Sequence, residues 1–310
     1  MKIAVLAGGL SAEREVSLRS GRRVAQALRE KGQEVIEVDI DADLLPELRK
    51  INPDAVLPLV HGQVGEDGSL REVLDVAGYK TVGSPSAAAR IAFEKPIANQ
   101  VAAAAGITVP NSIVLPQEAF KSLGATALLE SAISSIGLPM VVKPSHGGSA
   151  LGATVVKTKE ELPGAMVTAF SYGSVVLMQP YITGTEIAVC VLEDKAGLTT
   201  LPIVEIVPDH DLYDYDCRYT AGMTEFFVPA RINADIAAQA NEIATKMHKA
   251  LGLKDISRTD LIVDAAGNIW FLEVNINPGQ TETSLFPQAI AAAGLDLGEV
   301  FLKLLTNLDR

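Results

Sequence analysis

Short apolar strand runs alternate with helical segments through the first third of the chain. That alternation constrains the fold more than any other feature. Ile3-Ala4-Val5-Leu6-Ala7 is a buried-strand run ended by Gly8-Gly9. A helical segment follows, with Val24, Ala27 and Leu28 on one face and Gly32 as its stop. Residues 34–38 read as a second strand and 55–60 as a third. This is βαβ order, which predicts a parallel sheet with helices on its faces.

The rest of the chain has other signals. A boundary is expected near Gly83-Ser84-Pro85, and Pro96 and Gly106 bracket a helix. Residues 140–143 form a strand closed by Pro144, then a loop runs from Ser145 to Gly152. Residues 175–179 form another strand, ended by Pro180. In the last third Asn233 caps a helix with a stripe of Ile236, Ile243, Met247 and Leu251, ended by Gly252. There is no internal repeat and no low-complexity tract. At about 100–200 residues per domain, 310 residues predict two or three domains.

Composition excludes whole classes. Apolar residues make up 48% and charged residues 21%, which rules out a disordered chain. Lys plus Arg is 26 against 38 Asp plus Glu, a net charge of −12. That surface repels a phosphate backbone, so no nucleic-acid partner is expected, although a local pocket can still be positive. Cys190 and Cys217 form no zinc or C-x-x-C pattern and suit a reduced chain. The apolar start breaks at Gly8-Gly9 and turns charged at Glu13-Arg14-Glu15, too short for a signal peptide. No run approaches the roughly 20 apolar residues of a membrane span. A soluble, cytoplasmic protein is expected, with no membrane partner.

Four segments could carry chemistry. Two apolar runs flank Ala265-Ala266-Gly267-Asn268, which is hairpin-loop chemistry. If Asp264 pairs with Ile269, Asp260 faces Glu273, and Asn275 shares the face of Glu273. Two carboxylates and an amide oxygen on one patch suit Mg²⁺; a strand pair with polar residues facing solvent is the other reading. Lys143 with Gly147, Gly148, Ser149 and Gly152 is either a phosphate cradle or a flexible turn. His61-Gly62, with Gly65-Glu66-Asp67-Gly68, follows a strand end, where ligands bind in parallel sheets; its acids are equally ordinary helix starters. The segment from Asp211 through Tyr213, Asp214, Tyr215 and Arg218 to Tyr219 is a functional loop or a packed edge. His146, His210 and His248 carry little weight, and His248 is expected at the surface.

Taken in order, these segments resemble the ATP-grasp ligases, and within them the D-alanine–D-alanine ligases. The resemblance spans the whole chain. It includes Gly8-Gly9, Glu13, Ser17, the His61 to Gly68 run, Phe93-Glu94-Lys95, Lys143-Pro144, Arg218-Tyr219, Arg258, Asp260, Glu273, Asn275, Pro278-Gly279 and Thr283-Ser284-Leu285. It implies an α/β ATP-grasp fold: an N-terminal parallel-sheet substrate domain over 1–85, a central ATP-grasp subdomain over 86–180, and a C-terminal metal and catalytic domain over 181–310. The last two would clamp ATP.

The resemblance also assigns roles. Lys95, Lys143 and Arg218 would meet the ATP phosphates, Glu186 the ribose, and Gln179 and Tyr181 the adenine. Asp260, Glu273 and Asn275 would hold two Mg²⁺ (or Mn²⁺) ions. Arg258 and the Gly279 N–H would stabilise an oxyanion. Glu13 would take the ammonium of the first D-alanine, and His61, Ser284 and Leu285 would lie around the substrates. Tyr219, on a mobile loop, would meet Ser149 and Glu13 on closure. A homodimer and a place in peptidoglycan synthesis, and so in cell shape, are the family expectation.

Five positions depart from the family pattern. The glycine loop lacks the usual acid at Gly147 and has Ala150 for the second serine. Arg218, Arg71 and Gln179 stand where lysine, glutamine and an acid are usual. These departures keep two other readings open. One is a relative with another amino-acid substrate, including an intramolecular ring closure as in D-cycloserine formation. The other is a nucleotide-binding protein without catalysis.

Overall fold

A computed structural model describes residues 1–209, 213–220 and 222–308, with Asp216 and Tyr219 described in backbone only. The first sheet contains β1 (Lys2–Ala7), β2 (Glu34–Asp39) and β3 (Ala55–Pro58) in the order β2-β1-β3, all parallel. Ile3, Ala4, Val5 and Leu6 are wholly buried, because both faces of a central parallel strand are covered. The covering helix Arg14–Glu30 buries Val24, Ala25 and Leu28 and leaves Ala27 half-buried. A Cβ on its Gly21 would stand 2.6 Å from the Ala7 Cβ, so glycine lets the helix lie close to β1.

The second sheet contains β4 (Ile113–Pro116), β5 (Met140–Pro144), β6 (Thr154–Val156) and β7 (Val175–Pro180), antiparallel in the order β4-β7-β5-β6. The third contains β8 (Thr185–Asp194), β9 (Gly197–Thr200), β10 (Val204–Pro208), β11 (Thr224–Phe227), β12 (Ile256–Val263) and β13 (Ile269–Asn275). Its order is β11-β10-β8-β12-β13, with β9 on β8.

The near-continuous apolar run of β8 reflects burial on both faces. Ile187, Val189 and Val191 pack with Ala88, Ala92, Ala98 and Ala102, and with the helix Ala234–Ala250. Ala188 and Cys190 face the other way, toward Phe286, Phe301 and Leu28. The helices Ser86–Phe93 and Lys95–Ala104 thus lie on the third sheet, while the chain that follows them builds the second. Asn233 caps its helix as its position predicts, its side chain accepting from the Ile236 N–H. Among the described residues no helix is long and apolar enough to cross a membrane.

Candidate active site

The hairpin of β12 and β13 brings Asp260 opposite Glu273, Thr259 opposite Val274 and Arg258 opposite Asn275. The register at the loop is not the expected one. Val263, not Asp264, pairs with Ile269. Asp264 instead holds the turn together, accepting from the N–H groups of Ala266 and Asn268 and from Trp270 Nε1, each at 2.9 Å. The missing step is recovered further on. Leu261 faces Phe271 and Asp260 faces Glu273, so Leu272 is an extra residue, a β-bulge. The bulge turns consecutive residues, Leu272 and Glu273, toward one cavity.

That cavity holds about 490 Å³ between the second and third sheets, in the range of small-molecule sites. Its charged lining includes Lys95, Lys143, Arg218, Glu186, Asp260 and Glu273, and its apolar lining includes Val141, Ile206, Ile262 and Leu272. Glu273 lies 3.0 Å from Lys95 Nζ. Burial works against its charge, but Lys95, Lys143 and Arg218 outweigh burial and hold the carboxyl at about 2. Burial lowers the Lys143 ammonium to about 8 and pushes the Glu186 carboxyl up to about 7. Gln179, at the end of β7, is buried in the wall, and among the described residues its Nε2 has no hydrogen-bond partner.

Asp260 is also buried, and it accepts from Arg258 Nε and Nη2, both at 2.7 Å. Burial opposes the Arg258 charge, but the Asp260 carboxylate outweighs it and keeps the guanidinium protonated. Asn275 Oδ1 accepts from the Asn277 N–H at 2.8 Å. Among the described residues no three His, Cys, Asp or Glu side chains converge on a metal-sized site. The third oxygen of this patch is an amide. Two carboxylates and an amide are nonetheless the oxygen chemistry that Mg²⁺ prefers, and the cations beside them show that the patch needs positive charge.

A second group meets the glycine loop from the first sheet. Glu13 is buried and its Oε1 accepts a hydrogen bond from Ser149 Oγ. Burial and the neighbouring Glu66 push the Glu13 carboxyl up, and the Ser149 hydrogen bond pulls it down. Gly148 makes the approach possible, since a Cβ there would stand 2.9 Å from Glu13 Oε1. His61 is buried, with Nε2 3.1 Å from Ser20 Oγ and Nδ1 3.9 Å from Glu66. Ser20 also accepts from the Gln280 N–H at 3.0 Å, joining His61 to the 278–284 loop.

In that loop Ser284 Oγ accepts from the Thr281 N–H at 3.0 Å. A Cβ on Gly279 would lie 2.7 Å from the same oxygen, so a side chain there would displace Ser284. The Leu285 side chain is not brought to this group; it packs in the core with Phe286. Tyr181 lies on the cavity lining beside Gln179. The Tyr219 side chain lies outside the described residues, as do His210 and Asp211. Its neighbour Arg218 lies over the Tyr213 ring, 4.1 Å from the centroid, and its carbonyl accepts from Thr283 Oγ1 at 3.1 Å. Arg71 is turned elsewhere, donating to Thr81 Oγ1 and the Val82 carbonyl.

Three features escape a reading of the residues alone. Asn277 is buried and donates to the Val60 carbonyl at 2.9 Å, tying the end of the hairpin strand to the first sheet. His146 and Glu94 come together beside the glycine loop. His248 is not on the surface: it is 1% exposed, with Nδ1 2.8 Å from Ser257 Oγ. Its helix presents Ala240 and Ala244 inward, and so small a pair of residues hides the width of the buried face.

Comparison with known proteins narrows the chemistry. A family model described as the D-ala D-ala ligase C-terminus matches residues 101–306. The D-alanine–D-alanine ligase of Halalkalibacterium halodurans is 40% identical over 302 residues, covering 97% of this chain and 96% of that protein. The enzyme of the same name from Geotalea uraniireducens is 38% identical over 304 residues, covering 98% and 94%. Among solved structures, the Bacillus anthracis D-alanine–D-alanine ligase complexed with ATP aligns with a TM-score of 0.82 at 27% identity, covering 100% of this chain and 98% of that one. The VanG D-Ala:D-Ser ligase of Enterococcus faecalis aligns with a TM-score of 0.82 at 27% identity, covering 99% of each.

Proposed function

The chain belongs to the D-alanine–D-alanine ligase family, and from that membership we propose that it uses ATP to join two D-alanines into the dipeptide of peptidoglycan precursors. It is an ATP-dependent ligase with the ATP-grasp fold. The observation that carries the reading is the meeting of Asp260, Glu273, Lys95, Lys143 and Arg218 on one cavity, where a polyphosphate would find its counter-charge.

In this reading the carboxylate of the first D-alanine attacks the γ-phosphorus of ATP and ADP leaves. The resulting acyl phosphate is attacked by the amine of the second D-alanine, and phosphate leaves. Lys95, Lys143 and Arg218 spread the charge of the transferring phosphoryl group. Glu186 borders the cavity where the ribose would lie, and Gln179 and Tyr181 where the adenine would lie. Asp260, Glu273 and Asn275 would hold Mg²⁺ or Mn²⁺, which would neutralise phosphate charge. Arg258, with the Gly279 N–H, would stabilise the tetrahedral oxyanion. Glu13, beside His61, would hold the ammonium of the first substrate, and Ser284 and the backbone of Leu285 would meet the second. Tyr219 would close over Ser149 and Glu13 and exclude the water that destroys acyl phosphates.

In this reading the units 1–85, 86–180 and 181–310 make the clamp, with the cavity between the sheets of the last two, while the helices Ser86–Phe93 and Lys95–Ala104 pack on the third sheet. A cytoplasmic location and a homodimer go with the family reading. The test is phosphate release from ATP with Mg²⁺ and D-alanine alone, with mass spectrometry of the product. A D-Ala-D-Ala dipeptide, with second-order dependence on D-alanine, is expected. ATP binding without turnover on D-alanine would overturn the substrate assignment.

A further inference from the structure

The glycine loop has an unusual backbone. Gly147 and Gly152 have φ of +111° and +75°, and Ser149 and Ala150 have +51° and +53°. Left-handed conformation at residues with a Cβ persists only where surrounding contacts impose it. Ser149 is fixed at the far end by Glu13. The loop lacks an acid and a second serine of its own, so its near end must be fixed from outside.

The joint between the helices Ser86–Phe93 and Lys95–Ala104 does this. The Lys95 N–H donates to the Ser145 carbonyl at 2.9 Å, and Lys95 Nζ to the Gly147 carbonyl at 2.6 Å. His146 completes the attachment. Its ring centroid lies 5.6 Å from that of Phe93, at 32°. Its Nδ1 is 3.2 Å from Ser145 Oγ and 3.6 Å from Glu94 Oε1, and Ser145 Oγ donates to Glu94 Oε2 at 3.4 Å.

We propose that His146 is a positioning residue: clamped between Phe93 and Glu94, it fixes the near end of the glycine loop and thereby sets how tightly the loop holds the nucleotide phosphates. The same joint carries Lys95, which reaches Glu273, so loop and lysine are located by one set of contacts. The identity of the phosphates rests on the ligase reading; the clamp itself rests on the contacts above.

The test uses the full chain. Steady-state kinetics with ATP, Mg²⁺ and D-alanine are compared with calorimetric binding of ATP in the absence of D-alanine. H146A raises both the KM and the Kd for ATP about tenfold, the size of one lost hydrogen bond with its ring contact. Its kcat stays within about twofold and the KM values for D-alanine do not move, because no reacting atom is touched. E94Q shifts ATP affinity in the same direction, and the double variant is no worse than H146A, because both residues act through one clamp. Wild-type ATP affinity in folded H146A, or additive losses in the double variant, overturns the proposal. Should H146A not fold, H146F (ring kept) and H146N (polar contact kept) decide. Weakened ATP binding in either supports the clamp, and wild-type affinity in both overturns it. A wild-type chain without D-alanine-dependent ADP release defeats the ligase reading, while the calorimetric measurement still judges the clamp.

Discussion

Asp260 and Glu273 face each other across the hairpin, yet each has its own cation: Arg258 grips Asp260 through two hydrogen bonds of 2.7 Å, and Lys95 lies 3.0 Å from Glu273. Opposed carboxylates repel, and these local cations let the pair survive at a strand position where like charges are costly. The two cations come from different places, Arg258 from the hairpin itself and Lys95 from a helix start far back in the chain. The pair therefore reports on both local and long-range structure.

Glu273→Gln tests the cavity charge. It is expected to lower kcat by about a hundredfold or more, with circular dichroism unchanged, because a metal-binding charge is lost without a change of volume. Near-normal turnover would refute the metal site on this hairpin.

Arg258→Leu tests the buried pair. It leaves the Asp260 carboxylate buried without its partner, which costs about 3–5 kcal/mol. A large fall in the denaturant midpoint is expected, and the double variant with Asp260→Asn should recover part of it. A midpoint equal to wild type in Arg258→Leu would show that the pair contributes nothing to the fold.

Glu186→Gln tests the cavity wall. Burial raises this carboxyl from 4.5 to about 7, so the folded chain binds more protons than the unfolded chain between those values. Stability tied to Glu186 is full below about 4.5 and is lost as pH rises toward 7. The variant should be more stable than wild type at pH 8 by ~1–2 kcal/mol, less than the whole shift because the group borders an open cavity. The difference should disappear at pH 4.5, while the KM for ATP rises at both. Thermal melts at the two pH values check the sign.

Ser149→Ala tests the contact between the glycine loop and Glu13. The lost hydrogen bond raises the Glu13 carboxyl further, since that bond lowers it now. Glu13 must be ionised to hold an ammonium group, so the acidic limb of kcat/KM for the first D-alanine should move to higher pH. An unmoved limb would separate Ser149 from the titration of Glu13.

Much of the frame was legible before any coordinates. The parallel first sheet, the capped helix after Asn233 and the meeting of Asp260 with Glu273 follow from apolar period, cap chemistry and a turn sequence. Pairing Asp264 with Ile269 also sets Asp260 opposite Glu273, although the true partner of Ile269 is Val263. Asp264 belongs to the turn, and the bulge at Leu272 makes good the one-residue difference. A bulge is set by what the strand must face, and alternation alone gives no sign of it.

The sequence by itself determined what is short-range: which segments are strands or helices, where they stop, and which residue types are at hand for phosphate, metal and ammonium. Those properties depend on periodicity and on hydrogen bonds within a few residues. Tertiary structure alone decided which distant groups meet. It brought Ser149 to Glu13 across 136 positions, seated His146 on Phe93, buried His248 against Ser257 and laid the helices before the second sheet onto the third. Such contacts arise because each buried face must find a partner wherever the chain returns, and no local pattern encodes that address.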